Sequence, residues 1–424
     1  MAQRLHRHGV NCMDEIERDE CAVKYFRQLL ELNSRERDLV GDATFRLIKI
    51  YKRKGDQEAV TELTRRFWEL GMAHKNPAPL PYTARYFPRD ISIVSSFDLT
   101  RFHASPLGQS LTHESREWLF TCDEDRRVEL RTQRSEAARR RKAKQVPQGE
   151  GEVALQDQDK DKDKDKDKDK PDPSRPAVYD DGHCQLARAL GQATLEDWSR
   201  TVNGKNHFQP EISVSLITIA GATSLLAEAV KAGRLLPRDD GSYAIADVEY
   251  QGGELRVAEL DTGELTLAPA PIMGDIFAAL HNRNETLGTD ISRLTGEIPE
   301  DAAFFVVMSR PALAHGMRQS GPLGRLLPTP EGLLVSVVLY SYNGLFVRVP
   351  TSDPLKVQLL IPILHRFMIE GDSASVSNGD SEATLGESNI FGDLDLAQSS
   401  DGKSITFSSV LSVSQTTRLI DGDF

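Results

Sequence analysis

The sequence contains two related stretches, PRDISIVSSFDLTRFHASPLGQSL at residues 88–111 and PEDAAFFVVMSRPALAHGMRQSGPLGRLL at residues 299–327. Each begins with Pro-x-Asp and continues as an apolar strand. Pro-Leu-Gly then follows the proline by 18 residues in the first stretch and by 23 in the second. So short a match can arise by coincidence, but the shared order and context favour an internal duplication. A duplicated unit too small to close its own core accounts for the length of the chain.

Predicted strands and helices alternate around both stretches. Ile91–Phe97 and Phe304–Met308 are predicted strands, and Asn343-Gly344 is predicted as the turn of a β-hairpin. Thr194–Val202 is predicted as a short helix that begins with a threonine cap. Hairpins interleaved with helices indicate an α+β fold, in which helices pack on a mainly antiparallel sheet.

The N-terminal region has helical periodicity from Cys21 to Ala73. A subset of its residues resembles a tetratricopeptide repeat: Leu47, Tyr51, Gly55, Asp56, Ala59, Leu63 and Phe67. One full copy and a preceding half are present, whereas such repeats bury a solenoid core in about three copies. We therefore expect this segment to lean on the rest of the protein. A generic helical hairpin is the alternative.

The centre of the chain is dominated by charge. Arg126–Lys144 holds nine Lys or Arg residues against two Glu, and Asp159–Lys170 is a strict Asp-Lys alternation. Such segments bury little apolar surface and predict a solvated, disordered linker. The predicted organisation is a tetratricopeptide-like helical segment (1–76), the start of a first α+β unit (77–122), the linker (123–182), the remainder of the first unit (183–297) and a second α+β unit (298–424).

Known catalytic motifs are matched only in part. Gly402-Lys403-Ser404 imitates the end of a P-loop, but Ala397 stands where the first glycine is required. His113-Glu114 opens like a zincin helix, but Glu117 occupies the position of the second histidine. The sequence has no G-x-S-x-G elbow and no G-x-G-x-x-G loop. We expect a protein that is not an enzyme, with no cofactor and no metal ion.

Composition limits the partners of this chain, which is 39% hydrophobic and 27% charged and has a net charge of −12. No apolar run approaches the ~18 residues of a membrane span, so we expect no transmembrane segment. The basic run Arg139–Lys144 has the charge to bind nucleic acid or an anionic membrane. It lacks interleaved aromatic residues that stack on bases. We therefore favour a solvated linker and expect no nucleic-acid partner.

The four cysteines include no C-x-x-C pair, and buried or idle thiols are the simplest interpretation. On one helix Cys12 and Cys21 would lie on opposite faces, so they can pair only if a turn separates them. The N-terminal residues are basic but no apolar segment follows them. This pattern predicts a cytoplasmic protein if Met1 is the native start.

As a whole, the helical segment followed by Pro-x-Asp strand units resembles uncharacterised cell-envelope proteins of myxobacteria. The resemblance covers most of the chain. The resemblance implies a periplasmic or envelope-associated binding protein. It identifies no catalytic residues in this chain.

We expect a non-enzymatic interaction or scaffold protein with a protein partner. The candidate contact residues are aromatic: Tyr51, Phe67, Tyr340, Tyr342 and Phe346. On alternating hairpin strands such side chains also serve as core. The alternative is a carrier that binds a small molecule or lipid between the two α+β units, where ligand sites are favoured. A hydrolase is a third hypothesis, without a nucleophile–base pair to name.

Overall fold

The computed structural model describes part of the chain: residues 1–14, 18–32, 36–56, 58–63, 66, 80–123, 125–126, 128–130, 132–133, 181–209, 211–250, 253–299, 302–319, 329–339, 343–351, 395–398, 404–411, 413 and 416–417. Among these residues, no helix combines the length and the apolar character needed to cross a membrane.

Three helices form an N-terminal bundle: α1 (Ala2–Asp14), α2 (Asp19–Glu31) and α3 (Arg37–Lys54). Residues 58–63 are helical as well. The bundle has its own core, which includes Phe26, Leu29 and Leu47, all fully buried. Inside it, Asp42 accepts hydrogen bonds from His6 at 2.6 Å and from Arg46 at 2.8 Å. Burial alone would raise the pKa of Asp42, but these two partners outweigh it and hold that pKa below the usual value.

The rest of the fold is built on a twelve-stranded sheet. Its strands are β1 (Ile93–Asp98), β2 (Trp198–Lys205), β3 (Ser213–Ile219), β4 (Leu235–Pro237), β5 (Tyr243–Tyr250), β6 (Gly253–Glu259), β7 (Leu265–Pro269), β8 (Ala302–Ser309), β9 (Gly332–Leu339), β10 (Asn343–Pro350), β11 (Asp395–Gln398) and β12 (Ser404–Leu411). Their spatial order is β11-β12-β10-β9-β8-β1-β2-β3-β7-β6-β5-β4. Each described strand pair is antiparallel. The structure therefore confirms an α+β fold with a large antiparallel sheet.

Helices cover both faces of this sheet. On one face lie α4 (Leu99–Ala104), α5 (Pro106–Ser110), α6 (His113–Phe120), α7 (Asp181–Ala189) and α8 (Ala222–Lys231). On the other face lie a 3₁₀-helix (Tyr82–Tyr86), α9 (Ala270–Asn282) and α10 (Thr289–Thr295). Helix α11 (Arg310–Gln319) directly follows β8. Successive side chains of β8 point to opposite faces of the sheet. Phe305 and Val307 therefore both lie in the core under α9 and α10.

Strands β1 and β8 meet at the centre of the sheet, where the two predicted units join. Ile93 lies opposite Met308, Ser95 opposite Val306, and Phe97 opposite Phe304. This pairing makes one continuous sheet of the two units.

The ends of the predicted linker lie close together. Cys122 and Cys184 form a disulfide, and the Cys122 amide donates to the Ala193 carbonyl at 3.0 Å. The described residues in the linker's first part, 125–126, 128–130 and 132–133, are helical, and Leu130 is fully buried. The disordered-linker prediction therefore does not apply to these residues, because Arg126 pairs with Glu117 and Leu130 finds a buried site. Asp123 is described as well, Asp181 and Gly182 begin α7 rather than end a linker, and the rest of 123–182 lies outside the described residues.

The cysteines correct another expectation, because none of the four is free. Cys12 and Cys21 form the second disulfide, which joins α1 to α2. Helix α1 ends at Asp14 and α2 begins at Asp19, so the two cysteines lie on separate helices. This is the condition under which they can pair.

Two local predictions are wrong. Thr194–Val202 was expected to be a helix, but β2 begins at Trp198, because pairing with β1 and β3 satisfies its backbone on both sides. Asn343-Gly344 is not the turn of a hairpin but the start of β10, with Asn343 opposite Leu339. The apolar side chains of β9 and β10 set this register. Their packing outweighs the preference of Asn-Gly for a turn.

Close packing at Gly204 yields a stability test. A Cβ atom there would lie 2.6 Å from Cδ2 of the buried Phe87 ring and 3.2 Å from Cγ2 of Ile91. We expect Gly204→Ala to destabilise the protein by about 1 to 3 kcal/mol in urea unfolding, because neither neighbour has room to move. The control is Gly274→Ala, where an added Cβ meets nothing within 4 Å. Gly274→Ala should stabilise the protein by about 0.5 to 1 kcal/mol, because alanine favours the interior of a helix such as α9 more than glycine does. Equal effects of the two changes would contradict this account.

Candidate functional site

The aromatic residues that the sequence singled out do not form a common surface among the described residues. Tyr51 is 7% exposed and packs in the core of the N-terminal bundle, and Phe346 in β10 is 3% exposed. Their burial corrects the expectation that these two side chains offer contacts to a partner. Phe67, Tyr340 and Tyr342 lie outside the described residues.

A cavity of about 690 Å³ lies beside the β1–β8 pair, on the face of the sheet covered by α9 and α10. Three wall segments come from the chain before β8: Arg89–Ser92 before β1, Asn206 and Phe208 after β2, and residues 284–291, which lead into α10. Ser309 and Pro311, at the junction of β8 and α11, complete the described walls. The cavity therefore lies where the two predicted units meet.

Asn206 links two of the walls. This side chain is 8% exposed, and its amide Nδ2 donates to the Asp90 carbonyl at 2.8 Å. Its Oδ1 accepts from the backbone amides of Phe208 at 2.7 Å and Gln209 at 3.1 Å. One buried amide side chain thus fixes the loop after β2 against the segment before β1.

Ser92 and Ser309 form the back of the cavity. The Ser309 amide donates to the Ser92 carbonyl at 2.8 Å, which continues the β1–β8 pairing past the end of the strands. The Ser92 hydroxyl accepts from the His207 amide at 2.9 Å. Ser309 lines the cavity and is 6% exposed.

The outer wall, residues 284–291, is anchored to the 3₁₀-helix. Thr286 and Leu287 donate their amides to the Arg85 carbonyl, each at 3.0 Å, and the Thr286 hydroxyl donates to the Phe87 carbonyl at 2.7 Å. Arg85 also pairs with Glu285 at 3.0 Å. Backbone and side-chain bonds therefore hold all of the walls in place without a ligand.

An aromatic cluster stands at the entrance. The ring of His315, on α11, lies 4.7 Å from that of His207 and 5.1 Å from that of Phe208, measured between ring centroids. Phe208 is 53% exposed, which is unusual for a large apolar side chain. It is both a wall of the cavity and a surface accessible to solvent.

A second cavity of about 360 Å³ adjoins the first. The two share Arg89, Asp90, Asn284 and Thr286 as lining residues, and the second is closed on its far side by α9, which supplies Asp275. The segments around Asp90 and Thr286 therefore lie between the two cavities.

The half-buried ring of His103 lies against Phe102 and Phe120, at centroid distances of 5.6 and 5.5 Å. Burial of the ring, followed by repulsion from Arg116, lowers the pKa of His103 below its ordinary value. His103 therefore packs as part of an aromatic cluster. In the described ranges, no group of three or more His, Cys, Asp or Glu side chains is arranged to hold a metal ion.

Comparison with known proteins leaves the site to be interpreted from its own geometry. No family model matches the chain, and no match was found among curated proteins or solved structures.

The sequence reasoning missed all of the cavity residues. Pro-x-Asp was identified as the start of each unit, yet Asp90 was not identified as a wall of a site. Asn206 and Ser309 belong to no motif, and they meet only because β1 pairs with both β2 and β8. Ser309 has one signal in the sequence, as a polar residue at the end of the apolar strand β8, whereas Asn206 follows the mostly polar strand β2 and has none.

The role of Asn206 can be tested by truncation. We expect Asn206→Ala to destabilise the protein by about 1 to 3 kcal/mol in urea unfolding, because three backbone groups lose their partner. Amide exchange at Phe208 and Gln209 should also accelerate. The matched control is Asn284→Ala, since this exposed side chain lines the same cavity but makes no hydrogen bond with the described residues. Equal losses for both variants would rule out the linking role.

Proposed function

We propose that this chain is a non-enzymatic binding protein that takes up a small molecule in the cavity between its two α+β units. The observation that carries the proposal is the junction cavity, whose walls come from both units and are fixed by hydrogen bonds around Asn206, Ser92 and Thr286. A preorganised cavity loses little conformational entropy when a ligand enters.

The size and lining of the cavity support a small polar ligand. Its volume of about 690 Å³ falls within the range of ~300–1,000 Å³ common for such sites. Ile91, Leu287 and Ile291 provide a buried apolar floor, and Arg89 and Asp290 lie at an exposed rim. A lipid tail would leave these rim charges without partners, so a small polar molecule is the better fit for the carrier hypothesis.

An internal duplication is part of this proposal. Shifting the first Pro-x-Asp stretch by 211 residues, the difference 299 − 88, aligns Ser95 with Val306. Those two residues lie directly opposite each other in the β1–β8 pair. Two copies related by a local twofold axis at this point would give such a register. Asp98 and Ser309, also 211 apart, each directly precede a helix, which supports the same alignment.

A protein-interaction role is a second candidate function, located in the N-terminal bundle. The bundle has a core separate from both cores of the sheet, as an independent interaction module would. Gly55, in the left-handed conformation with φ of +70°, ends α3 where the tetratricopeptide-like pattern predicts a turn. A protein partner on this bundle is compatible with a ligand in the cavity, because the two sites use different residues.

The two disulfides support a place in the cell envelope. Disulfides persist in oxidising compartments such as the periplasm and are rare in the cytosol. Together with the resemblance to myxobacterial cell-envelope proteins, they favour a periplasmic or envelope-associated protein over a cytoplasmic one.

Thiol chemistry tests that placement. The Cα atoms are 5.6 Å apart in Cys12–Cys21 and 5.0 Å apart in Cys122–Cys184, within the disulfide range. Protein purified from its native host and denatured without reductant should show no reactive thiol, and all 4 cysteines should react after reduction. Peptide mapping should recover these two pairs. Free thiols before reduction would contradict the envelope placement, and crossed pairs would contradict the pairing of Cys12 with Cys21 and Cys122 with Cys184.

Ligand binding is tested by filling the cavity. Ligand-observed NMR with a library of small cations, anions and neutral molecules should identify binders to the wild-type protein. Thr289→Trp should abolish that binding, because Thr289 is an exposed wall residue and an indole there would occupy the cavity. Ser224→Trp, on the exposed side of α8, is the matched control and should bind as wild type. If no compound binds in a manner sensitive to Thr289→Trp, the proposed function fails.

A further inference from the structure

We infer that an apolar face of β8, β9 and β10 is the docking site for residues 355–369 of the same chain, which lie outside the described residues. The inference goes beyond the proposed function, because it concerns a contact within the chain and does not involve the cavity. Three features lead to it: a half-buried sheet face, a fully buried residue near its outer edge, and the helix at the equivalent place in the first unit.

Apolar side chains line one face of β8, β9 and β10, which we call the second-unit face. Val306 lies opposite Val335, and Val335 lies opposite Val347, so the side chains continue across all three strands. No member belongs to either core of the sheet, as the described residues define those cores. An apolar area of this extent marks a contact surface, because leaving it in water is unfavourable. The half-buried members are Phe304, Val306, Met308, Leu333, Val335, Val337, Leu345, Val347 and Val349.

Ile405 indicates that this face is covered at its outer edge. It lies in β12 opposite Val349, on the second-unit face. Ile405 is fully buried, yet it belongs to none of the three cores that the described residues form. β11 is the one described strand beyond β12, and it lies beside Ile405 in the sheet rather than over it. Full burial so near the edge of a sheet requires chain above the face.

The first unit indicates which part of the chain this is. From the centre of the sheet outward, its strands follow the order β1-β2-β3-β7-β6, and those of the second unit follow β8-β9-β10-β12-β11. The two orders agree once the β4–β5 hairpin is set aside, so β10 corresponds to β3. Helix α8 follows β3 directly and packs Leu226 and Ala229 on the side of the sheet that carries the second-unit face. We therefore expect the chain after β10 to return across that face.

The composition of the chain after β10 fits this position. Residues 352–394 connect β10 to β11 and lie outside the described residues. In 355–369, ten of 15 residues are Leu, Ile, Val, Phe or Met, whereas 370–394 contains five such residues in 25. Contact between 355–369 and the second-unit face removes two apolar surfaces from water at once. This favours a segment of the same chain over a second copy as the occupant.

Photo-cross-linking of the full chain tests the inference. The protein is produced with photo-methionine and photo-leucine, irradiated, digested and mapped by mass spectrometry. We expect cross-links from Met308 in β8 to Leu359, Leu360 or Leu364. If no cross-link joins this segment to β8, β9 or β10, the inference is wrong. In an equal mixture of isotope-labelled and unlabelled chains, cross-links that join the two kinds of chain would identify a second copy as the occupant and overturn it as well.

Thiol protection tests the same contact by its effect. All four native cysteines are paired, so an introduced cysteine is the one free thiol. A Val347→Cys thiol should react with a maleimide at least about tenfold more slowly than a Ser224→Cys thiol on the exposed side of α8, because reaction requires local opening. Leu360→Asp combined with Leu364→Asp should abolish this protection. Protection of Val347→Cys that persists in this background would contradict the inference.

A cysteine in the first unit separates local loss of docking from global unfolding. Ala229→Cys, at a fully buried position of α8, should stay protected when Leu360 and Leu364 are changed to Asp. If it becomes reactive too, the milder pair Leu360→Ala and Leu364→Ala replaces the aspartates. Selective exposure of Val347→Cys then supports the docking, and unchanged protection overturns it. Ligand binding sensitive to Thr289→Trp is a separate readout, so the proposed function can stand if this inference fails.

Discussion

The antiparallel pairing of β1 with β8 is the interaction on which the rest of the structure depends. Both strands bury one face, the face under α9 and α10, so a slip of one residue would turn the side chains of that core to the less buried face of the sheet. In this register, Val94 lies opposite Val307 and Ser96 lies opposite Phe305. These pairs are on the face covered by α9 and α10. The other strands of the sheet extend outward from this pair on both sides.

The cavity is a direct consequence of that pairing. The last bond of the central ladder, from the Ser309 amide to the Ser92 carbonyl, brings the entry of β1 beside the exit of β8. Helix α11 then leaves the sheet at Pro311, and the loop after β2 crosses the same point, held by Asn206. These three chain segments diverge from the same end of the central strands, and the cavity lies between them. Its polar lining follows, because strand ends expose backbone and carry polar residues.

The N-terminal bundle depends on different forces. Its core is apolar, and it also contains the Asp42 carboxylate between His6 and Arg46, which connects α1 to α3. The Cys12–Cys21 disulfide connects α1 to α2. Short helices are marginal in isolation, so such cross-connections contribute much of their stability. Among the described residues, the core of the bundle is formed by residues of the bundle alone.

Sequence alone determined the features that repeat over several residues. Apolar alternation predicted β1 and β8, and helical periodicity predicted α2 and α3, because burial of one face imposes a period on the chain. Tertiary structure decided what local preference does not encode. It made β2 a strand and put Asn343-Gly344 inside β10, because pairing and packing outweigh a turn preference. It also assembled Asp90, Asn206 and Ser309 into one site, since only strand pairing brings such distant residues together.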